Sequence, residues 1–105
     1  MINYREMINQ NVIVASKKIN KYIRKTPFER SAMISDLIGA DVWLKMENQQ
    51  HTGSFKFRGA INKMLSLSES ERESGIYAAS TGNHGAAVAY ACQLLKVPCI
   101  IYVPE

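Results

Sequence analysis

Residues 76–103 begin Ile76-Tyr77-Ala78-Ala79-Ser80-Thr81-Gly82-Asn83-His84-Gly85, continue through Ala86 to Leu95, and end in Pro98-Cys99-Ile100-Ile101-Tyr102-Val103. Ile76 to Ala79 is a short apolar run ahead of a glycine-containing turn, the pattern of a buried strand. Ala86 to Leu95 is apolar on nearly every side and rich in small residues, which calls for a helix covered on more than one face. Pro98 to Val103 reads as a second buried strand. Just upstream, Phe57, Ala60, Ile61, Met64 and Leu65 fall at helical spacing, the clearest such pattern in the chain, and Ser54 is the expected N-cap. Helix, strand, helix and strand in succession predict an α/β fold, a parallel sheet with flanking helices and crossover connections.

The rest of the chain leads into this unit. Residues 1–8 carry no clear period. From Asn11 to Ile23 the apolar positions Val12, Ala15, Ile19 and Ile23 predict a helix. Thr26-Pro27 ends it, because proline disfavours helical geometry in the residue before it. Phe28 to Arg30 follows as an extended piece. Ser31 to Ile38 forms a short helix with Gly39 as its stop. Asp41 to Met46 reads as a strand, and Glu47 to Gly53 as a polar loop. Ser66 to Gly75 is polar and exposed, with one helical turn expected over Glu69 to Glu73.

Composition narrows the class. The chain has 105 residues, 47% apolar and 21% charged, which suits one small globular domain. The net charge of +4 comes from scattered lysines and arginines. Lys17, Lys18 and Lys21 read as a solvated helix face. No basic block is interleaved with aromatics, which argues against nucleic-acid binding. Cys92 and Cys99 lie in apolar segments, without CxxC or metal-ligand spacing, and read as buried free thiols. There is no apolar signal core at the N-terminus, and the apolar runs are too short to cross a bilayer. A soluble cytoplasmic protein without membrane contact is the expectation.

Two segments can carry chemistry. Lys56 stands at the start of its helix, where the helix dipole disfavours a protonated amine. Phe55 and Phe57 beside it are expected to reduce solvation in the same sense. A neutral lysine amine adds to aldehydes; an ordinary solvated lysine is the competing reading. Ser80-Thr81-Gly82-Asn83-His84-Gly85 joins a strand to a helix, where ligands gather in open α/β sheets and free backbone N–H groups attract carboxylates and phosphates. An N-capped tight turn is the competing reading. The segment matches neither of the glycine-rich nucleotide patterns, so a nucleotide is not the favoured ligand. Arg58 and Glu47 read equally as a structural ion pair or as substrate contacts. His51 is expected to be exposed and without a role.

Together Ser54-Phe55-Lys56-Phe57-Arg58-Gly59-Ala60, preceded by Glu47-Asn48, and Ser80-Thr81-Gly82-Asn83-His84 resemble the fold-type II pyridoxal-phosphate enzymes, in the serine/threonine dehydratase and serine racemase branch. The resemblance implies a tryptophan synthase beta-subunit-like fold, here incomplete. Residues 1–52 would be the N-terminal part of the large cofactor domain, and 53–105 the first half of the small domain. It implies pyridoxal 5'-phosphate as cofactor and Lys56 as the Schiff-base lysine, with Phe55 against the pyridine ring. Asn83 would hydrogen-bond the phenolic oxygen. Ser80, Thr81, Asn83 and His84 would bind the substrate carboxylate, with direct acid–base work by His84 not favoured.

The implied reaction converts L-threonine or L-serine to a 2-oxo acid and ammonia, in a homo-oligomer acting on small amino acids. The family also needs a later glycine-rich phosphate loop and a later polar residue facing the pyridine nitrogen. Neither occurs before Glu105, so the chain alone is expected to bind the cofactor poorly and turn nothing over. Thr81 stands where serine racemases place serine and many threonine dehydratases alanine. The phenylalanine-lysine-x-arginine form argues against the cysteine synthase branch. The alternatives are a serine racemase, a hydroxyectoine-pathway dehydratase of the same family, or a non-enzymatic module that pairs through an unfinished sheet edge.

Overall fold

The computed structural model describes residues 3–105. Helix α1 runs Tyr4–Ile19, with the Asn3 side chain accepting a hydrogen bond from the Arg5 N–H. It therefore starts earlier than the apolar spacing predicts and also stops earlier. Val12 lies exposed, and Ile19 is the buried residue of α1. The asparagine cap, not an apolar stripe, sets its start. Strand β1 (Phe28–Arg30) pairs antiparallel with β2 (Trp43–Lys45), Glu29 opposite Leu44. Between them lies α2 (Ala32–Ile38), capped by Ser31 and closed by Gly39 at φ +69°, as expected of a left-handed stop. Two 3₁₀ turns, Glu47–Gln49 and His51–Gly53, give structure to the segment read as a polar loop.

Helix α3 runs Lys56–Ser66. The residue before it is Phe55, already near helical geometry, so Ser54 sits one place too early to cap it. The Ser54 hydroxyl instead accepts weakly from the Lys56 N–H at 3.4 Å. Helix α4 (Glu69–Glu73) opens with a reciprocal capping box between Ser68 and Glu71. Strand β3 (Ile76–Ala79) pairs parallel with β4 (Cys99–Tyr102), Ile76 opposite Cys99. Helix α5 (Asn83–Leu95) connects them.

The expected parallel pair with a crossover helix is present. The extended piece expected at Phe28–Arg30 and the strand expected within Asp41–Met46 are both present, and their antiparallel pairing is what the sequence did not announce.

The core sits between α3 and α5. Phe57, Ile61, Ala87, Ala91 and Cys92 are almost fully buried, with Met64 and Val88 close behind. The helical stripe of α3 thus faces the small residues of α5, which let the two helices approach. Cys92 and Cys99 are free thiols, as expected, although Cys99 is only half-buried. Burial pushes the Cys92 thiol up to about 12, and the neighbouring Cys99 acts in the same direction. The opposite face of the sheet, with Tyr77, Ile100 and Tyr102, is exposed. Among the described residues no helix is long and apolar enough to cross a membrane.

Candidate active site

Helix α3 presents Lys56 from its first turn. The side chain is exposed, and its Nζ lies 5.3 Å from the centre of the Phe55 ring. Phe55 is exposed too, whereas Phe57 turns the other way into the core. The expected desolvation of the amine by both phenylalanines is therefore not found: successive helix positions point about 100° apart, so the pair cannot flank Lys56 on one side. Among the described residues Lys56 Nζ makes no hydrogen bond or ion pair.

Phe55, Lys56 and His84 line one cavity of about 640 Å³, whose walls are completed by Ala60, Met64, Ile76 and Val88. That volume falls within the range of small-molecule sites. His84 is the second residue of α5, exposed and one turn from the strand end. Asn83 opens the same helix; Thr81 and Asn83 are exposed and Ser80 is half-buried. Of the six residues singled out in the sequence, the fold gathers Phe55, Lys56 and His84 on the cavity, with Ser80, Thr81 and Asn83 in the adjoining turn.

No side chain caps α5, which leaves the N–H groups of its first turn available to an anion. Gly85 brings this helix close to the strand end: a Cβ there would stand 2.8 Å from the Ser80 carbonyl oxygen and 3.2 Å from Ile101 Cγ2. Any side chain would push the turn away from the sheet.

Behind Lys56 lies a polar cluster. Arg58 Nε and Nη2 donate to the two oxygens of Glu47, each at 2.7 Å, and the Thr26 hydroxyl donates to Glu47 Oε1 at 2.5 Å. The ion-pair reading of Glu47 and Arg58 is the one realised. The Arg58 guanidinium holds the Glu47 carboxyl down at about 2, against an ordinary 4.5, and the Thr26 hydroxyl adds to this while burial opposes it. The folded value lies below the unfolded one. The carboxylate's contribution is thus complete above about pH 4.5 and is lost as the pH falls towards 2. Its ceiling is about 3 kcal/mol, reduced by the solvent that reaches one side of the pair. Urea unfolding of the chain and of Glu47→Gln is expected to give a stability gap that is widest near neutral pH and closes through that acid window. A gap independent of pH would refute the linkage.

Sequence reasoning missed two residues of this region. His51 is not exposed: its ring meets Phe57 edge-on at 5.6 Å and lies 5.3 Å from Tyr90. Its apolar body is useful as packing, which a polar neighbourhood in sequence does not reveal. Gln50 is buried and brackets Arg24, accepting from its N–H and donating to its carbonyl at 2.9 Å each. Among the described residues no group of three or more His, Cys, Asp or Glu could hold a metal ion.

These features define an α/β domain whose lysine-centred cavity adjoins a strand-to-helix turn. The chain belongs to the pyridoxal-phosphate dependent enzyme family, which it matches over residues 19–105. It is 45% identical over 95 residues to L-threo-3-hydroxyaspartate ammonia-lyase of Saccharomyces cerevisiae, covering 90% of this chain and 29% of that protein. It is 42% identical over 96 residues to L-threonine ammonia-lyase of Thermotoga maritima, covering 91% of this chain and 24% of that one. Among solved structures, serine racemase from Dictyostelium discoideum superimposes with a TM-score of 0.87 at 45% identity, over 91% of this chain and 32% of the racemase. The chain thus spans about a third or less of these relatives' length. The fold-type II expectation stands, and with it pyridoxal phosphate as the family's cofactor.

The residues present fit that cofactor: an unpaired amine for its aldehyde, an exposed aromatic ring beside the amine, an apolar wall, and unsatisfied N–H groups nearby.

Proposed function

We propose that this chain forms the lysine-bearing segment of an ammonia-lyase that converts L-threonine or L-serine to a 2-oxo acid and ammonia. The observation that carries the reading is the convergence of Phe55, Lys56 and His84 on one cavity beside the Ser80–Gly85 turn. Bound pyridoxal phosphate supplies an electron sink for negative charge at the substrate Cα. Lys56 Nζ would hold the cofactor through its aldehyde and would accept the substrate Cα proton. The Phe55 ring would pack against the cofactor ring, and the Asn83 amide would hold its phenolic oxygen. Ser80, Thr81 and His84, with the first N–H groups of α5, take the substrate carboxylate. Loss of the β-hydroxyl as water, followed by uptake of water at the amino carbon, releases ammonia.

In this reading residues 1–52 belong to the large domain and 53–105 to the small one, within a cytoplasmic homo-oligomer. A second reading, racemisation of serine, would use the hydroxyl of Thr81, exposed in the turn beside the cavity, as a second proton carrier. The test is a hybrid in which residues 19–105 replace the matching segment of the Dictyostelium racemase. A 2-oxo acid and ammonia in equal amounts from L-threonine or L-serine is the expected result. Interconversion of serine enantiomers without ammonia would support the second reading. A folded, cofactor-loaded hybrid with neither activity would overturn both.

A further inference from the structure

Arg58 is oddly placed by local rules. It lies in the first turn of α3, where the helix dipole disfavours a cation, and that turn contains no acidic residue and no side-chain cap. Lys56, two residues earlier, adds a second cation to the same turn. The missing negative charge comes from outside the helix, from Glu47 in the first 3₁₀ turn. The Arg58–Glu47 contact is bidentate, the geometry that fixes orientation as well as distance. Glu47 is itself held. Thr26, which donates to it, is buried, and Lys45 Nζ donates to the Thr26 carbonyl at 2.7 Å. The Met46 N–H donates to the Pro27 carbonyl at 3.0 Å, and Gln50 brackets Arg24. Residues 24–27 and 45–50 therefore form one braced layer, and Arg58 ties the lysine-bearing turn to it.

Among the described residues Lys56 Nζ makes no hydrogen bond or ion pair and only approaches the exposed Phe55 ring at 5.3 Å, so the amine's position is set mainly through its backbone. Core packing of Phe57 and Ala60 holds the buried side of the helix, and on its other side the Arg58–Glu47 pair ties the first turn to the braced layer.

We infer that Glu47, Arg58 and Thr26 act as positioning residues, a clamp that orients the first turn of α3 and so aims Lys56 into its cavity. This rests on Lys56 as the cofactor-bearing amine. A buried ion pair is weak evidence of a stabilising role, because apolar packing often serves as well. The clamp's work is orientation, and orientation can be read separately from stability.

The experiment uses the hybrid with the racemase, because the chain alone is expected to bind the cofactor poorly. The hybrid is exposed to limiting pyridoxal phosphate, trapped with borohydride, and the ratio of label at Lys56 to label at Lys63 is measured by peptide mass spectrometry. Lys63 lines the same cavity and serves as the internal reference. Amide hydrogen exchange is followed in residues 55–58 and, as a control, in 88–92. Glu47→Gln is expected to lower the labelling ratio by about threefold or more, the scale of one net hydrogen bond. It is expected to speed exchange in 55–58 and leave 88–92 unchanged. The exchanged pair Glu47→Arg with Arg58→Glu restores both readouts.

If Glu47→Gln changes neither, the clamp only contributes stability and the inference fails. If Glu47→Gln does not fold, Thr26→Val removes one support; a smaller change in the same direction sustains the inference, and none overturns it. If the unmodified hybrid shows no preference for Lys56, the lysine assignment fails instead, while the exchange data still judge the clamp.

Discussion

Lys56→Ala, made in the hybrid with the racemase, is expected to abolish the visible absorbance of lysine-bound cofactor and to cut turnover on the order of a thousandfold or more. Removing a group that both attaches the cofactor and transfers the Cα proton forfeits at least the 10²–10⁴-fold typical of a positioned acid–base group, as a rough scale. The fold should survive, because Lys56 is exposed and takes no part in the core. Far-ultraviolet circular dichroism and the unfolding midpoint should therefore match those of the parent. Retention of the visible band would move the attachment point to another lysine. Lys63 is the next to examine, since it lines the same cavity.

The second large effect concerns stability. Phe57→Ala is expected to cost about 3–5 kcal/mol, as for other fully buried aromatic truncations. Phe57 is 0% exposed and sits where three rings meet: its centroid lies 5.1 Å from that of Tyr90 and 5.6 Å from that of His51. Truncation leaves a cavity between α3 and α5 and removes the support of the second 3₁₀ turn together with it. A small domain has a total stability of about 5–15 kcal/mol, so the variant loses a large part of it. Urea denaturation of the chain and the variant checks this directly. A loss under 1.5 kcal/mol, the range of a well-tolerated core swap, would mean that His51 and Tyr90 close the gap. Side by side, Lys56→Ala and Phe57→Ala separate chemistry from folding at adjacent positions of one helix.

The sequence was most legible where local chemistry and tertiary packing agree. Ser31 and Gly39 bound α2 because a hydroxyl cap and a left-handed stop act within a few residues. The stripe of Phe57, Ala60, Ile61 and Met64 is buried because α5 offers it a face of small side chains. The apolar runs at 76–79 and 99–102 became parallel partners for the same reason. Legibility failed where the partner is remote. The β1–β2 pairing depends on Trp43 finding Arg30 across an intervening helix. The half-burial of His51 depends on Phe57 and Tyr90, and the burial of Gln50 on Arg24.

The apolar pattern starts α5 at Ala86, with the polar residues before it reading as a turn, yet Asn83 and His84 are already helical. Apolar periodicity marks where a helix is covered, not where its hydrogen bonds begin. At the candidate site, Phe55, Lys56 and His84 could be drawn from two motifs. The bracing by Thr26 could not, because nothing in Thr26-Pro27 beyond a helix stop points towards Glu47.

The Cys92 thiol has a use beyond packing. Sealed between α3 and the sheet, and held protonated at any ordinary pH, it is a sulfur that alkylating reagents reach only when the molecule opens. Its half-buried neighbour Cys99 has no such seal. The two cysteines thus form a stopwatch within the native chain: the faster modification marks the moment of mixing, and the slower one counts how often the interior comes apart.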